Sequence, residues 1–172
     1  ITGIGTEMSK FTTDIAALTE VENPSWRNRK MDHLASLCAL TGLNFGVFYH
    51  TSDFMSMGNQ GNAIISRYPV TGWKEYTLPG GLEKRKLCQL TVLYNMVKMN
   101  IFVTHLSQGC GREKQIAAIA KVISETEGPV ILAGDFNTGD MEELQPVINA
   151  GLKEFTATST CPSWKPSEVL DH

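Results

Sequence analysis

The sequence predicts an α/β domain in which mixed β-sheet is flanked by helices. Runs of apolar residues with strand-like spacing are connected in some places by hairpins and in others by helical segments. One run, residues 129–133 (PVILA), is continuously apolar and follows the clearest helical pattern, residues 111–127, which is typical of a strand buried on both faces. No linker, internal repeat or low-complexity segment is visible, so we expect one domain over residues 1–172.

Four elements are predicted in the first half of the chain. Residues 14–21 (DIAALTEV) form a short apolar run between a Thr-rich stretch and an Asn-Pro pair, which indicates a buried strand. Residues 31–41 place apolar side chains at mostly helical spacing, and Gly42 provides a natural end for that helix. Two further strands are predicted at residues 45–50 (FGVFYH) and 62–68 (NAIISRY).

The second half of the chain supplies the remaining elements. Residues 73–78 alternate loosely between apolar and polar and lead into a Pro-Gly-Gly turn. Residues 87–93 (LCQLTVL) and 98–105 (KMNIFVTH) are predicted to pair as strands around a hairpin tip. The helix at 111–127 has one apolar and one charged face, and a short helix is expected over residues 140–150.

Composition restricts the class of function. With 42% hydrophobic residues and a formal charge of −3, the chain is neither disordered nor a general nucleic-acid binder, which would usually be basic. Neither a membrane span of ~20 apolar residues nor a secretion signal is visible. These absences leave the compartment undetermined, with the cytoplasm favoured, and we expect a monomer. The four cysteines form no C-x-x-C pair and are expected to be ordinary buried thiols.

The most informative motif is GDFNT at residues 134–138, directly after the buried strand. Asp135 and Asn137 lie two positions apart at the carboxyl end of a core strand, so both can point into the same crevice. Asp135 can carry charge to a cation or orient a water molecule, and Asn137 can donate to a developing oxyanion. An ordinary turn remains the alternative, because Asp, Asn and Gly are turn residues. An EF-hand calcium loop is excluded by the residues at its required Gly and Glu positions.

Three other polar residues follow apolar runs. His105 ends the predicted strand KMNIFVTH, and an imidazole beside an Asp/Asn pair would suit a phosphate oxygen. Glu20 ends an otherwise apolar strand, where a carboxylate is costly unless it is paired, solvated or bound to a metal. Mg²⁺ takes such oxygen ligands. Asp171 again follows a short apolar run, and by itself it would indicate little about function.

Read together, these segments resemble the endonuclease/exonuclease/phosphatase superfamily of Mg²⁺-dependent phosphoesterases, and most of all its small bacterial members. The superfamily includes pancreatic deoxyribonuclease, apurinic-site endonucleases, inositol polyphosphate 5-phosphatases and bacterial sphingomyelinases. The matching stretches run almost from end to end: DIAALTEVE (14–22), GNAIISRYPV (61–70), NIFVTHLS (100–107), GPVILAGDFNT (128–138) and PSWKPSEVLDH (162–172). The resemblance implies a four-layer α/β/β/α sandwich, with two packed mixed β-sheets flanked by helices.

The resemblance also implies a role for each candidate residue. Glu20 matches the carboxylate that binds the metal, and His105 the histidine that hydrogen-bonds the scissile phosphate. Asp135 matches the acid that orients or deprotonates the attacking water, and Asn137 the amide that steadies the phosphoryl oxygen. Asn62 lies where the family lines its substrate cleft.

The ends of the chain depart from the family pattern. The family normally opens with a strand ending in Asn and closes with a Ser-Asp-His segment, and both are expected to be missing here, so the domain is expected to be incomplete. We align Asp171 with an earlier Asp that pairs with the final His of the family. The alternative alignment makes Asp171 and His172 that terminal pair, with His172 as the base. Arg85, in the basic step 84–86, could reach a phosphate, although a solvated loop is the favoured interpretation.

The predicted function is therefore that of a Mg²⁺-dependent hydrolase of phosphate esters, with Mn²⁺ or Ca²⁺ as substitutes. In-line attack of an activated water on a phosphodiester or phosphomonoester is the expected reaction. The acidic composition favours a small or lipid substrate, and a nuclease acting on DNA or RNA is the alternative, since nucleic-acid backbones need several Lys/Arg contacts. A binding domain that keeps the fold without catalysis is a hypothesis of another class.

Overall fold

Eleven regular elements make up the part of the chain that the computed structural model describes, which is residues 1–24, 28–53, 59–81, 83–154 and 158–172. The helices are α1 (Thr2–Ser9), α2 (His33–Thr41), α3 (Arg112–Ser124) and α4 (Met141–Asn149). The strands are β1 (Ile15–Glu22), β2 (Phe45–Asp53), β3 (Asn59–Ser66), β4 (Val70–Thr77), β5 (Lys86–Tyr94), β6 (Val97–His105) and β7 (Val130–Asp135). Each element predicted from the sequence is present, with ends displaced by a few residues.

Helix α1 was not predicted, because its two glycines and two threonines have low helix propensity. Its packing against α2 explains one of those glycines. Gly5 is buried, and a Cβ at this position would approach Leu40 Cδ1 to 2.6 Å. The helix therefore depends on close contact with α2 rather than on the preferences of its own residues.

The boundaries of α2 follow the sequence signals closely. Asp32 is its N-cap, and the carboxylate accepts a hydrogen bond of 2.9 Å from the backbone N–H of Ala35. Gly42 ends the helix in the left-handed conformation at φ 71°, which glycine adopts without strain.

The strands form two sheets. In the first sheet the order is β1-β3-β2, and both pairings are antiparallel. In the second the order is β4-β5-β6-β7, antiparallel except for the parallel pair β6 and β7, which α3 connects. This arrangement places the carboxyl ends of β6 and β7 side by side at one end of the second sheet.

Three apolar clusters order these elements into four layers. The first joins α1 and α2 to the first sheet through Leu37, Leu43 and Ile65, and the second lies between the sheets and includes Tyr49 and Ile64. The third packs α3 and α4 on the second sheet and consists of Leu78, Leu87, Phe102, Leu106, Ile116, Ile119, Ile123, Phe136, Leu144 and Val147. The α/β/β/α sandwich is thus confirmed.

Two expectations about burial were wrong. Strand β7 was expected to be buried on both faces, but Ile131 is 47% exposed because β7 is the last strand in the order of its sheet. The cysteines are free thiols but not all buried, since Cys110 is exposed while Cys88 lies between the sheets. No helix among the described residues is long and apolar enough to cross a membrane.

Candidate active site

His105 and Asp135 are adjacent at the ends of two parallel strands. Their Cα atoms are register partners of β6 and β7, so both side chains point to the same side of the sheet. The distance from His105 Nε2 to Asp135 Oδ2 is 3.5 Å, and the side chains are 13% and 25% exposed. Two of the predicted site residues, 30 positions apart in the sequence, are therefore in contact range.

Asp171 extends this pair to a row of three. The C-terminal segment runs antiparallel to the end of β7, where Phe136 N–H donates to Leu170 O at 2.8 Å and Gly134 N–H donates to His172 O at 2.9 Å. An isolated bridge pairs Asp171 with Asp135. Side chains that oppose each other across such a bridge lie on the same face. The row of His105, Asp135 and Asp171 thus spans three neighbouring chain segments.

His172 points away from this row. Its ring lies edge-on to Phe136 with the centroids 5.5 Å apart, and its Nε2 is 2.9 Å from Thr138 O. Its Nδ1 is 3.3 Å from Glu154 Oε1. The structure therefore brings Asp171, not His172, to Asp135, which agrees with the first of the two alignments.

Glu20 reaches the same site from the first sheet. The register of β1 and β3 shifts between Leu18 and Val21, and Glu20 has a φ of 56° within this bulge. Bulges commonly redirect a side chain, and Glu20 is exposed although it belongs to a strand. Burial has the larger effect on the pKa values of His105 and Asp135, but the negative charge of Glu20 acts on both, which places Glu20 within electrostatic range of that pair.

The carboxylates suit a divalent cation of the Mg²⁺ type. The negative charges of Glu20 and Asp171 repel that of Asp135, and a cation would relieve this repulsion. In the described residues no group of three or more His, Cys, Asp or Glu side chains is arranged to hold a metal ion. Mg²⁺ commonly takes one or two protein carboxylates and completes its shell with water and substrate phosphate. The donor set fits that open type of site.

Asn137 connects the loops of the site through its hydrogen bonds. It has a φ of 53°, in the left-handed region, and its N–H donates to Asp135 Oδ1 at 2.8 Å. Its side-chain Nδ2 donates to Leu106 O at 2.8 Å, which ties the loop after β7 to the loop after β6. One of the two amide hydrogens of Asn137 is therefore already used within the protein.

Asn62 lies below the site rather than in its opening. It is 2% exposed, and its Nδ2 is 3.9 Å from the buried Cys88 Sγ, between the two sheets. Its predicted role in lining the substrate cleft stays a prediction.

Arg85 is the residue that the sequence interpretation placed wrongly. It was expected in a solvated loop, but its side chain is 15% exposed, and Arg85 Nη2 is 2.7 Å from Glu83 Oε2. The backbone O of Arg85 accepts a hydrogen bond of 2.9 Å from Leu78 N–H, which attaches the backbone at Arg85 to that at Leu78. Its Nε is buried and has no hydrogen-bond partner among the described residues. A spacing of charges along the chain does not reveal this burial.

Burial shifts the pKa values of His105 and Asp135 in opposite directions, and nearby charges modify both shifts. Burial lowers the pKa of His105, and the positive charge of Arg85 lowers it further, against the opposing effect of the nearby carboxylates. Burial raises the pKa of Asp135, although the hydrogen bond from Asn137 N–H opposes this effect. The site therefore holds a neutral imidazole around neutral pH beside a carboxylate of increased basicity, a combination suited to proton transfer.

A groove of about 650 Å³ lies between β7 and α4. It is lined mostly by apolar side chains, with His172 at its border. Because it holds neither His105 nor Asp135, we place the candidate chemistry at the polar row and not in this groove.

Comparison with known proteins supports the fold and the family. The model of the Endonuclease/Exonuclease/phosphatase family matches residues 2–172. A relative described as uncharacterized protein YbhP from Escherichia coli (strain K12) is 31% identical over 105 residues, which cover 57% of this chain and 42% of that protein. The matched part thus spans less than half the length of this relative.

Solved structures give the same picture of the fold. An endonuclease/exonuclease/phosphatase family protein from Leptotrichia buccalis is similar over 99% of this chain and 78% of its own, with a TM-score of 0.74 and 16% identity. A mutant of beta toxin from Staphylococcus aureus with bound magnesium ions matches 98% of this chain and 73% of its own, with a TM-score of 0.68 and 16% identity. At these identities the likeness establishes the fold alone.

Proposed function

This chain belongs to the endonuclease/exonuclease/phosphatase family, whose members hydrolyse phosphate esters, and on that premise we propose that it is a Mg²⁺-dependent phosphoesterase. The observation that carries the proposal is the row of His105, Asp135 and Asp171, with the His105–Asp135 contact at 3.5 Å. A carboxylate of raised basicity and a neutral imidazole are in contact range here, with the positive charge of Arg85 acting on His105, and such a set can activate water at a phosphate ester.

Asp135 is the group that takes the proton from the attacking water. Burial makes its carboxylate more basic, while the Asn137 N–H fixes one of its oxygens and leaves Oδ2 directed toward His105. The water oxygen forms a bond to phosphorus, the ester P–O bond breaks on the opposite side, and the leaving oxygen is protonated from solvent. The negative charge of Asp171 adds to the effect of burial in raising the pKa of Asp135, which helps Asp135 to retain this proton.

His105 and Arg85 stabilise the phosphoryl group. A neutral His105 can donate one N–H to a non-bridging oxygen of the phosphate. The positive charge of Arg85, which acts on His105 in the folded protein, would add to this stabilisation at short range. Glu20 would hold the Mg²⁺ ion, or Mn²⁺ or Ca²⁺ in its place, and the ion supplies neutralisation of the phosphate charge when bound.

The charges around the site favour a small or lipid phosphate ester over a long nucleic acid. In the basic segment 84–86, Arg85 pairs with Glu83, and Lys86 Nζ is 2.8 Å from Glu75 Oε1. Lys84 is the exposed residue of the three. A nucleic-acid backbone requires several free Lys or Arg contacts. The nuclease alternative stays a prediction, and a steep loss of DNA cleavage with added salt would favour it.

Hydrolysis of bis-p-nitrophenyl phosphate tests the proposal. We expect turnover with Mg²⁺, none in EDTA, and a decrease of about 100-fold or more for Glu20→Gln at a fixed Mg²⁺ concentration. The exposed Glu125→Gln variant removes the same charge away from the site and should retain wild-type turnover. Full activity in EDTA, or equal turnover by both variants, would contradict the proposal.

Inhibition by inorganic phosphate tests the role of Arg85. Losing this positive charge should raise the inhibition constant of the Arg85→Gln variant by about 10-fold or more. The Lys84→Gln variant is the matched control, because Lys84 is the exposed neighbour and carries the same charge. An equal rise in both variants would show that the charge of Arg85 acts no more strongly on bound phosphate than that of its exposed neighbour, and would contradict this role.

A further inference from the structure

The first turn of α3 is attached to both loops that carry the proposed chemistry. Arg112 opens this helix, and its Nη1 donates to the backbone O of Asn137 at 2.8 Å. Gln115, one turn later, is fully buried and makes two hydrogen bonds of 3.0 Å to Ser107, one from the Ser107 backbone N–H and one to its hydroxyl. Ser107 follows His105 by two residues, so the loops after β6 and β7 are both held by one helical turn.

Each of the three side-chain nitrogens of Arg112 already makes a hydrogen bond within the protein. Its Nε and Nη2 form a two-point contact with the carboxylate of Glu143 in α4, at 2.9 and 3.0 Å, and its Nη1 is occupied by Asn137 O. The side chain is 15% exposed, and that of Glu143 is 32% exposed. A guanidinium paired with Glu143 and bonded through all three nitrogens is committed to contacts within the protein, and its contact with the site is the bond to Asn137 O.

The conformation of Asn137 is held by hydrogen bonds. It lies in the left-handed region at φ 53°, which Asn adopts more readily than most residues because its short polar side chain can hydrogen-bond locally. Three hydrogen bonds hold it there, of which the one from Arg112 is the only one of the three that involves its carbonyl. The Asn137 N–H in turn orients Asp135 Oδ1.

We propose that Arg112, oriented by Glu143, is a positioning residue that sets the conformation of Asn137 and through it the orientation of the Asp135 carboxylate. The expected change in kcat rests on the proposed function, whereas the effect of Arg112 on Asn137 and Asp135 does not. Other charged groups that face Asp135 are His105 from β6, Glu20 from β1 and Asp171 from the C-terminal segment, and none of them is changed when Arg112 is replaced.

The test compares the Arg112→Gln and Arg112→Lys variants with Arg67→Gln. Arg67 makes the same pair of contacts far from the row, with Nε 2.9 Å from Asp14 Oδ1 and Nη2 donating to Thr13 O at 3.1 Å. For Arg112→Gln we expect kcat to fall by about 10- to 100-fold with little change in KM. The acid limb of the kcat profile should move to higher pH, because the Asn137 N–H no longer favours the ionised form of Asp135. Arg112→Lys should restore part of kcat, and Arg67→Gln should leave both quantities unchanged.

A titration of the Asp135 carboxyl by carbon NMR separates the two proposals. If wild-type protein does not hydrolyse the ester, the proposed function fails, while the NMR comparison of wild type and Arg112→Gln still stands. A higher pKa for Asp135 in Arg112→Gln, but not in Arg67→Gln, supports the positioning role. An unmoved pKa, or a kcat loss that merely follows a loss of thermal stability in both Arg112→Gln and Arg67→Gln, overturns it.

Discussion

Replacing Asp135 by Asn should separate catalysis from stability. The amide has nearly the shape of the carboxylate, and its Oδ1 can still accept the 2.8 Å hydrogen bond from Asn137 N–H. What disappears is the negative charge that lies 3.5 Å from His105 Nε2 and the capacity to accept a proton from water. Loss of a general base costs about 10²- to 10⁴-fold in rate, or roughly 3–5 kcal/mol of transition-state stabilisation.

The same substitution should stabilise the fold near neutral pH. Burial raises the pKa of Asp135 above its value in the unfolded chain. A group of this kind supports folding while it is protonated, and that support is lost as the pH rises through its folded-state pKa. At neutral pH the ionised carboxylate therefore opposes folding, whereas an amide does not. The difference between variant and wild type should vanish at acidic pH, below the unfolded-state pKa.

The assay pairs ester hydrolysis in Mg²⁺ with urea unfolding in EDTA at acidic and neutral pH. Asp140→Asn is the matched control, because Asp140 Oδ1 accepts from Glu142 N–H at 2.8 Å in the same local geometry but is exposed and lies at the N-terminus of α4. We expect Asp135→Asn to lose activity and gain stability at neutral pH, and Asp140→Asn to keep its activity. An Asp135→Asn protein that retains more than about a tenth of the wild-type kcat/KM, or that is less stable at neutral pH, would refute the reasoning.

Three further outcomes follow from the packing. Gly134→Ala should prevent stable folding, measured by circular dichroism, because its φ is 145° and a Cβ there would overlap the carbonyl group of Thr104. Phe102→Ala, at a fully buried position, should lower the free energy of urea unfolding by about 3–5 kcal/mol. A thiol reagent should modify the exposed Cys110 quickly in the native protein and leave Cys88 unmodified, since burial raises the pKa of Cys88 to about 12; equal rates for the two thiols would contradict the fold.

Much of the architecture could be read from the sequence because local signals agreed with tertiary packing. The apolar runs of β5 and β6 and the glycine that ends α2 are local properties, and they were predicted within a few residues. The contact of His105 with Asp135 was also predictable, since both end strands that a helical crossover makes parallel.

Other features depended on contacts between distant segments. Helix α1 forms through packing on α2 that overrides the weak propensity of its own residues. Arg85 is buried because the loop before β5 folds against Leu78, which a run of basic residues does not indicate. The attachment of Asn137 to Arg112 joins positions 25 residues apart and becomes visible in the structure alone.

Paramagnetic broadening by Mn²⁺ tests the central claim most directly, because it reports proximity to a bound ion without requiring turnover. One equivalent of Mn²⁺, added to isotope-labelled protein, should broaden the imidazole signals of His105 and the backbone signals of Asp135 and Asp171 together. Glu20→Gln should abolish this broadening at the same concentration. Broadening at other surface carboxylates with the His105 signals unchanged would show that these side chains do not share one cation, and would contradict the account.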